Sequence, residues 1–419
     1  MSRCGWENQR VVIVGSGLAG SRASTALRKA GFSGHITIID GDGDADHDRP
    51  PLTKGLLKGT QREADIRFAR ADKPTADAFI AKTVVASSMR ERRLFLDDDS
   101  TIRFDGLIIA SGLRPKRLSH GMGSADVPSV RTLRDAQRLR ATLMKGRGRS
   151  VVIGAGYIGT EVAAAARSRG WQVDLLARTA QPLEHALGRP VGQYIGDIHY
   201  RHGVNLMPEC TVTEVARTSD GFRVDVDGRR SLDAELVVAA VGSLPNVDWL
   251  AGDDVLIDDG VRTDSRLRVL DRSGKQWTAV VAAGDVVRWP HPLFPVETVR
   301  VEHWSNAAEQ AASAARVLLS ELDGREHPAQ HDPVPTFWSD QYDQKILAVG
   351  MPHLADRVAI AEGSPASGRF VAVYTLNDYL VGAVGVGSAS SLARHRRVIA
   401  EEGAAIRAGT LSPGPGPGH

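Results

Sequence analysis

Twice in 419 residues the chain runs from an apolar strand through a glycine turn into a helix and on to a second strand. The first unit is RVVIVGSGLAGSRASTALRKAGFSGHITIID, Arg10 to Asp40; the second is RSVVIGAGYIGTEVAAAARSRGWQVDLLAR, Arg149 to Arg178. Val11–Val14 and Val151–Ile153 are apolar without alternation, the pattern of a strand covered on both faces of a parallel sheet. Gly15, Gly17 and Gly20 repeat as Gly154, Gly156 and Gly159. In such a loop the first glycine makes the turn, the second lets a pyrophosphate reach the backbone, and the third lets helix and strand pack closely. The helix then directs its free N–H groups at the phosphates. One loop alone is a common glycine turn. Two complete units specify two dinucleotide sites and an α/β fold.

The units end differently. The first ends at Asp40 and opens the acidic run DGDGDADHDRPPLTKG. A calcium loop of this spacing needs glycine at its sixth position and glutamate at its twelfth. Here those positions hold Ala45 and Pro51, so the run is not a metal site. An acid closing the second strand holds a ribose hydroxyl; Asp40 is assigned that role, with Asp42 the alternative. Asp44, Asp46 and Asp48 read as solvated loop charges. The second unit ends Leu176-Ala177-Arg178, with alanine where the acid would stand. An arginine there can hold a 2′-phosphate, so Arg178 favours NADPH over NADH.

A third strand, TAVVAAGDVVRWPHP, ends in Gly284-Asp285 and leads into the helical pattern EHWSNAAEQAASAARVLLSEL. A carboxylate at Asp285 can accept hydrogen bonds from the hydroxyls of a flavin's ribityl chain. To reach the first nucleotide site, Asp285 must come back past the whole second unit, which is therefore an insertion. Residues 1–117 and 248–325 are assigned to an FAD-binding domain, 118–247 to an NAD(P)-binding domain, and 326–407 to a C-terminal domain. Residues 408–419, which include SPGPGPGH, form a tail expected to be disordered.

A net charge of +2 gives no footprint for nucleic acid. There is no apolar run of about 18 residues and so no membrane span, and MSRCGWENQR has no apolar leader core. The only cysteines, Cys4 and Cys210, exclude a disulfide scaffold and a redox or metal CxxC pair, and they fit the cytoplasm. Neither G-x-S-x-G nor H-E-x-x-H occurs. His199 and His202 lack an acid or cysteine partner in sequence and read as a surface helix.

The segments VVIVGSGLAG, DRPPLTKGLLKG, LIIASGLRPKRL, VVIGAGYIGTEVAA, VVAAVGSLPNV, AAGDVVRWPHP, VRVEHWSNAAEQA and FWSDQYDQKILAVG follow one another across residues 11–350. In that order they resemble the glutathione-reductase-fold flavoproteins, and within them the putidaredoxin-reductase-like ferredoxin reductases that serve cytochromes P450 and Rieske oxygenases. The resemblance implies two Rossmann-like domains and a C-terminal α+β domain. It implies electron flow from NADPH or NADH through FAD to a [2Fe-2S] ferredoxin. It places cofactor contacts at Gly15, Gly17, Ala19, Gly20, Arg49, Val85, Ala110, Arg131, Gly284, Asp285, Glu302 and Trp304. In the second nucleotide site it points to Gly154, Gly156, Tyr157, Ile158, Gly159 and Gly242. It pairs Lys54 with Glu161 beside the flavin ring, behind the stiff wall of Pro50 and Pro51, and puts Trp338 over the flavin near the acceptor exit. Arg288, Arg300, Arg394, Arg396 and Arg397 are candidates for steering an acidic ferredoxin. VGAVGVGSASSLARHRRVIAEEG departs from the family by carrying Gly-Ser-Ala where an Asn-Arg-Pro-like turn is usual. Two alternatives therefore stand: direct action on a quinone, a dehydroascorbate-like molecule or O2, and a flavoprotein whose redox state governs binding. A monomer and a homodimer are both compatible with the sequence.

Overall fold

The computed structural model describes residues 5–42, 47–68, 76–118, 127–388, 391–408 and 410. Val11 to Val14 are all buried, as a strand covered on both faces must be. Strand Arg10–Val14 pairs in parallel with His35–Ile39 on one side and Gly106–Ile109 on the other. Strand Gln276–Ala282 adds in parallel beyond Gly106–Ile109. The full sheet runs in the order 268–270, 276–282, 106–109, 10–14, 35–39, 78–80. Helix Leu18–Lys29 buries Ala19, Gly20, Ala23 and Leu27 and packs along helix Trp304–Asp323. It closes with Arg28 and Lys29 in its last turn, where cations suit the helix dipole.

Residues on both sides of the second glycine unit thus share one sheet, while that unit builds another. Its four parallel strands run in the order 204–207, 172–176, 149–153, 236–239. Helix Tyr157–Ser168 lies close against it because Ala163, Ala164, Ala165 and Ala166 are small and buried. The chain passes between the two sheets along an antiparallel ribbon, Leu113–Pro115 against Ser243–Pro245.

The third body is an antiparallel sheet in the order 336–341, 344–350, 379–386, 369–376, 357–364, with helix Leu392–Arg407 packed on it. Asn377 and Asp378, both at positive φ, turn one hairpin as a two-residue loop requires. Strand Thr336–Gln341 alternates strictly: Phe337, Ser339 and Gln341 are buried, while Trp338 and Asp340 are only partly covered. Helix Glu184–Arg201 breaks at Gly188, φ 70°, with Pro190 two residues on. Beyond the break it leans on the third sheet, with Tyr194 packed edge-on against Phe370 at 5.1 Å. The expected tail, 408–419, lies outside the described residues except at 408 and 410.

Candidate active site

One cavity of about 570 Å³ collects residues from all three bodies. Its lining includes Gly17 and Ala19, then Arg49, Pro50 and Lys54, then Ala110 and Arg131. Gly156, Tyr157, Ile158, Glu161 and Gly242 come from the second unit, and Gly284, Asp285, Glu302, Trp304 and Trp338 complete it.

Gly15, Gly20, Gly154 and Gly159 stand behind the lining and shape it. A Cβ on Gly15 would lie 2.2 Å from the Ala110 carbonyl oxygen, and one on Gly20 1.9 Å from that of Gly15. The second loop repeats this, with 2.3 Å from Gly154 to the Ala240 oxygen and 1.8 Å from Gly159 to the Gly154 oxygen. Gly156 meets nothing within 4 Å, which leaves open space in front of the backbone for a phosphate.

The polar groups around the first loop suit an anion and a polyol. Arg131 is largely buried, and its Nε and Nη2 have no hydrogen-bond partner. Burial, and then the Arg49 guanidinium, pull its pKa down to about 10. Arg49 and Arg131 line the same cavity as Gly17, so a pyrophosphate there would satisfy both guanidiniums. Asp285 lies 3.8 Å from Arg131, too far for a hydrogen bond. Burial raises its pKa; Arg131 opposes that shift and Glu302 adds to it. The residues present therefore fit FAD.

Asp40 closes the first loop by accepting from the Ser16 backbone N–H at 2.6 Å and from that of Asp42 at 2.8 Å. The surface of Asp42 is open. Surrounding protein, and then the Asp40 charge, nevertheless push its carboxyl above the usual carboxylate range. Arg178 follows strand Gln172–Leu176, exposed and outside the cavity.

Lys54 and Glu161 meet at 2.8 Å, with side chains 15% and 4% exposed. The rest of that carboxylate's environment was not legible in sequence. Thr53 Oγ1 donates to the same oxygen at 2.5 Å, and Ser339 Oγ donates to the other at 2.6 Å. Trp338 packs edge-on to Trp304, centroids 6.1 Å apart.

Several expectations need correction. Val85 does not line the cavity; alternation along Val84–Ser88 turns Val84 inward and leaves Val85 51% exposed. Asp48 is no free loop charge, because it accepts from the Trp304 indole N–H at 2.8 Å. His199 is not on the surface: it is fully buried against the third sheet and hydrogen-bonded to Gln341 and Tyr342. Burial lowers its pKa to about 4. Of the five arginines proposed to steer a partner, all but Arg396 face a carboxylate of the described residues. Arg288 faces Asp258 and Asp259, Arg300 faces Asp259 and Glu302, Arg394 faces Glu362, and Arg397 faces Glu401. Asp44 and Asp46 lie outside the described residues. Among the described residues no group of three or more His, Cys, Asp or Glu could hold a metal, and no helix is long and apolar enough to cross a membrane.

Two dinucleotide loops opening on one cavity, a carboxylate for a polyol and a buried ammonium define a two-nucleotide oxidoreductase fold. Residues 9–311 match the pyridine nucleotide-disulphide oxidoreductase family, and residues 336–412 match the reductase C-terminal domain. The chain belongs to this family. It is 33% identical over 394 residues, 93% of each chain, to the ferredoxin–NAD(+) reductase component of an anthranilate 1,2-dioxygenase system from Burkholderia cepacia. It is 32% identical to rhodocoxin reductase of Rhodococcus erythropolis, covering 94% of this chain and 90% of that one. The crystal structure of a covalent putidaredoxin reductase–putidaredoxin complex superposes with a TM-score of 0.85 at 29% identity, over 94% of each chain.

Proposed function

We propose that this chain is an FAD-dependent ferredoxin reductase that takes electrons from NAD(P)H and delivers them to a [2Fe-2S] ferredoxin of an oxygenase system. The observation that carries the proposal is the single cavity in which both glycine loops, Asp285 and the Lys54–Glu161 pair meet. The ferredoxin reductases similar along the whole chain support it. When bound, FAD supplies the conversion of a two-electron donor into single-electron transfers. Around it, Arg49 and Arg131 hold the pyrophosphate, Asp40 the adenosine ribose and Asp285 the ribityl hydroxyls. The Lys54 ammonium stabilises the negative charge gained on reduction. The loop from Gly154 to Gly159 takes the nicotinamide nucleotide, and Trp338 stands toward the acceptor. No general base is needed.

Arg178, with alanine before it and no acid at the strand end, supports a preference for NADPH. The sharing of one sheet by residues 10–109 and 268–282 supports the domain division 1–117 with 248–325, 118–247 and 326–407. Two well-separated cysteines support a reducing, cytoplasmic setting. The test is steady-state oxidation of NADPH and NADH with a [2Fe-2S] ferredoxin, compared with ferricyanide, a quinone and O2. Turnover with ferredoxin above that with quinone and O2 is expected. Faster turnover with quinone or O2 would make a small molecule the acceptor.

A further inference from the structure

The Glu161 carboxylate is the end of a buried chain of hydrogen bonds whose direction the chemistry fixes. A carboxylate only accepts, so the Ser339 hydroxyl donates to Glu161 Oε1 at 2.6 Å. Ser339 Oγ must then accept from the Gln341 amide, whose Nε2 lies 3.0 Å away. The same nitrogen reaches Thr160 Oγ1 at 2.9 Å, and that hydroxyl has its own proton committed to the Gly156 and Tyr157 carbonyls at 3.0 Å each. The amide oxygen of Gln341 is left to accept from His199 Nε2 at 3.1 Å. His199 therefore carries its proton on Nε2 and accepts at Nδ1 from the Tyr342 hydroxyl, 3.2 Å away. Burial keeps the imidazole neutral, with its pKa lowered to about 4. Thr160, His199, Ser339 and Gln341 are each fully buried.

Along the run Tyr342, His199, Gln341, Ser339 each donor points toward Glu161, while the Thr160 branch ends on backbone carbonyls. The series crosses all three bodies of the fold: Lys54 from the first, Thr160, Glu161 and His199 from the second, and Ser339, Gln341 and Tyr342 from the third. Aligned hydrogen bonds in a low-dielectric interior polarise one another, and a bond to an ionised acceptor is the strongest of them.

We propose that Ser339, Gln341 and His199 are positioning residues that draw charge from the Glu161 carboxylate and fix it against Lys54, thereby raising the reduction potential of the flavin bound in the cavity. The role falls off with distance, Ser339 first, Gln341 second and His199 third. It rests on the flavoprotein reading above.

The experiment is redox titration of the bound flavin in wild type and in Ser339→Ala, Gln341→Met and His199→Gln, with apo-protein Tm measured alongside. Removing a donor dipole aimed at the site makes the site more negative, so the midpoint potential should fall. For Ser339→Ala the expected change is about tenfold in the reduction equilibrium, about 30 mV for a two-electron couple. Gln341→Met should give a smaller fall, and His199→Gln, which keeps a donor, nearly none. Ser339→Thr keeps the hydroxyl and should restore the wild-type potential. If Ser339→Ala does not fold, Ser339→Cys, a weak donor, and Gln341→Met carry the test. A lowered Tm with an unmoved potential in variants that retain flavin would reduce these residues to packing and overturn the proposal. Equal shifts at all three positions would overturn the directed chain. A wild-type protein that takes up no flavin would instead sink the functional reading itself.

Discussion

Lys54 and Glu161 should behave as one unit in stability as well as in chemistry. Glu161 is 4% exposed and takes three donors: Lys54 Nζ at 2.8 Å, Thr53 Oγ1 at 2.5 Å and Ser339 Oγ at 2.6 Å. Lys54 is 15% exposed and has one other acceptor, the Pro50 carbonyl at 3.4 Å. Glu161→Ala leaves an ammonium and two hydroxyls without their acceptor; breaking a buried pair in this way costs about 3–5 kcal/mol. Lys54→Met leaves the carboxylate with two neutral donors and should cost less, about 2–3 kcal/mol. Once either charge is gone, removing the other restores neutrality. The double variant Lys54→Met/Glu161→Ala should therefore fall short of the sum of its single changes by about 1–3 kcal/mol. Urea denaturation of the apo-protein, with all three variants and wild type in one cycle, reads this directly. Additivity within about 0.5 kcal/mol would mean that the two side chains do not support each other, and the electrostatic reasoning would be refuted.

Asp285→Ala should release FAD on gel filtration while the apo-fold persists; full retention at wild-type affinity would remove the polyol assignment. Arg178→Ala should raise KM for NADPH, by about 1.5–3 kcal/mol of lost charged contact, and leave KM for NADH nearly unchanged; equal effects would end the 2′-phosphate argument. The fold should also be acid-labile. His199 and His291 titrate near pH 4 and His303 near pH 3 in the folded chain, each because burial disfavours the imidazolium. Unfolded histidines titrate near about 6.5, so below that pH the unfolded chain binds more protons and stability falls as pH drops toward 4. The slope is about 1.4 kcal/mol per pH unit for each histidine. His199→Gln should flatten it by one proton, and an unchanged slope would contradict the buried, neutral assignment.

The nucleotide loops were legible because their constraints are local. A strand, three glycines and a helix carry their own spacing, and the backbone oxygens now found about 2 Å from the missing Cβ atoms explain that spacing. Asp285 was legible as a strand-ending acid, and Lys54 with Glu161 through the family resemblance. The other partners of Glu161 were not, because Thr53 and Ser339 lie 108 and 178 residues from it and only tertiary packing joins them. Strict alternation along Thr336–Gln341 carried a signal: Ser339 and Gln341 share the inward face with Phe337, and polar residues on a buried face need partners. His199 misled for the same reason, since its partners lie more than 140 residues away. For the basic cluster near the C-terminus, sequence shows charges without their counterions. Arg394, on the last helix, meets Glu362 on strand Arg357–Ser364, and Arg397 meets Glu401 one helical turn on.

The most direct test of the central claim is anaerobic rapid mixing of the NAD(P)H-reduced protein with oxidised [2Fe-2S] ferredoxin, watching flavin and cluster absorbance together. Flavin reoxidation and cluster reduction should share one time course, with two ferredoxins reduced per FAD. A flavin that stays reduced with ferredoxin, yet is reoxidised at once by a quinone or O2, would contradict it.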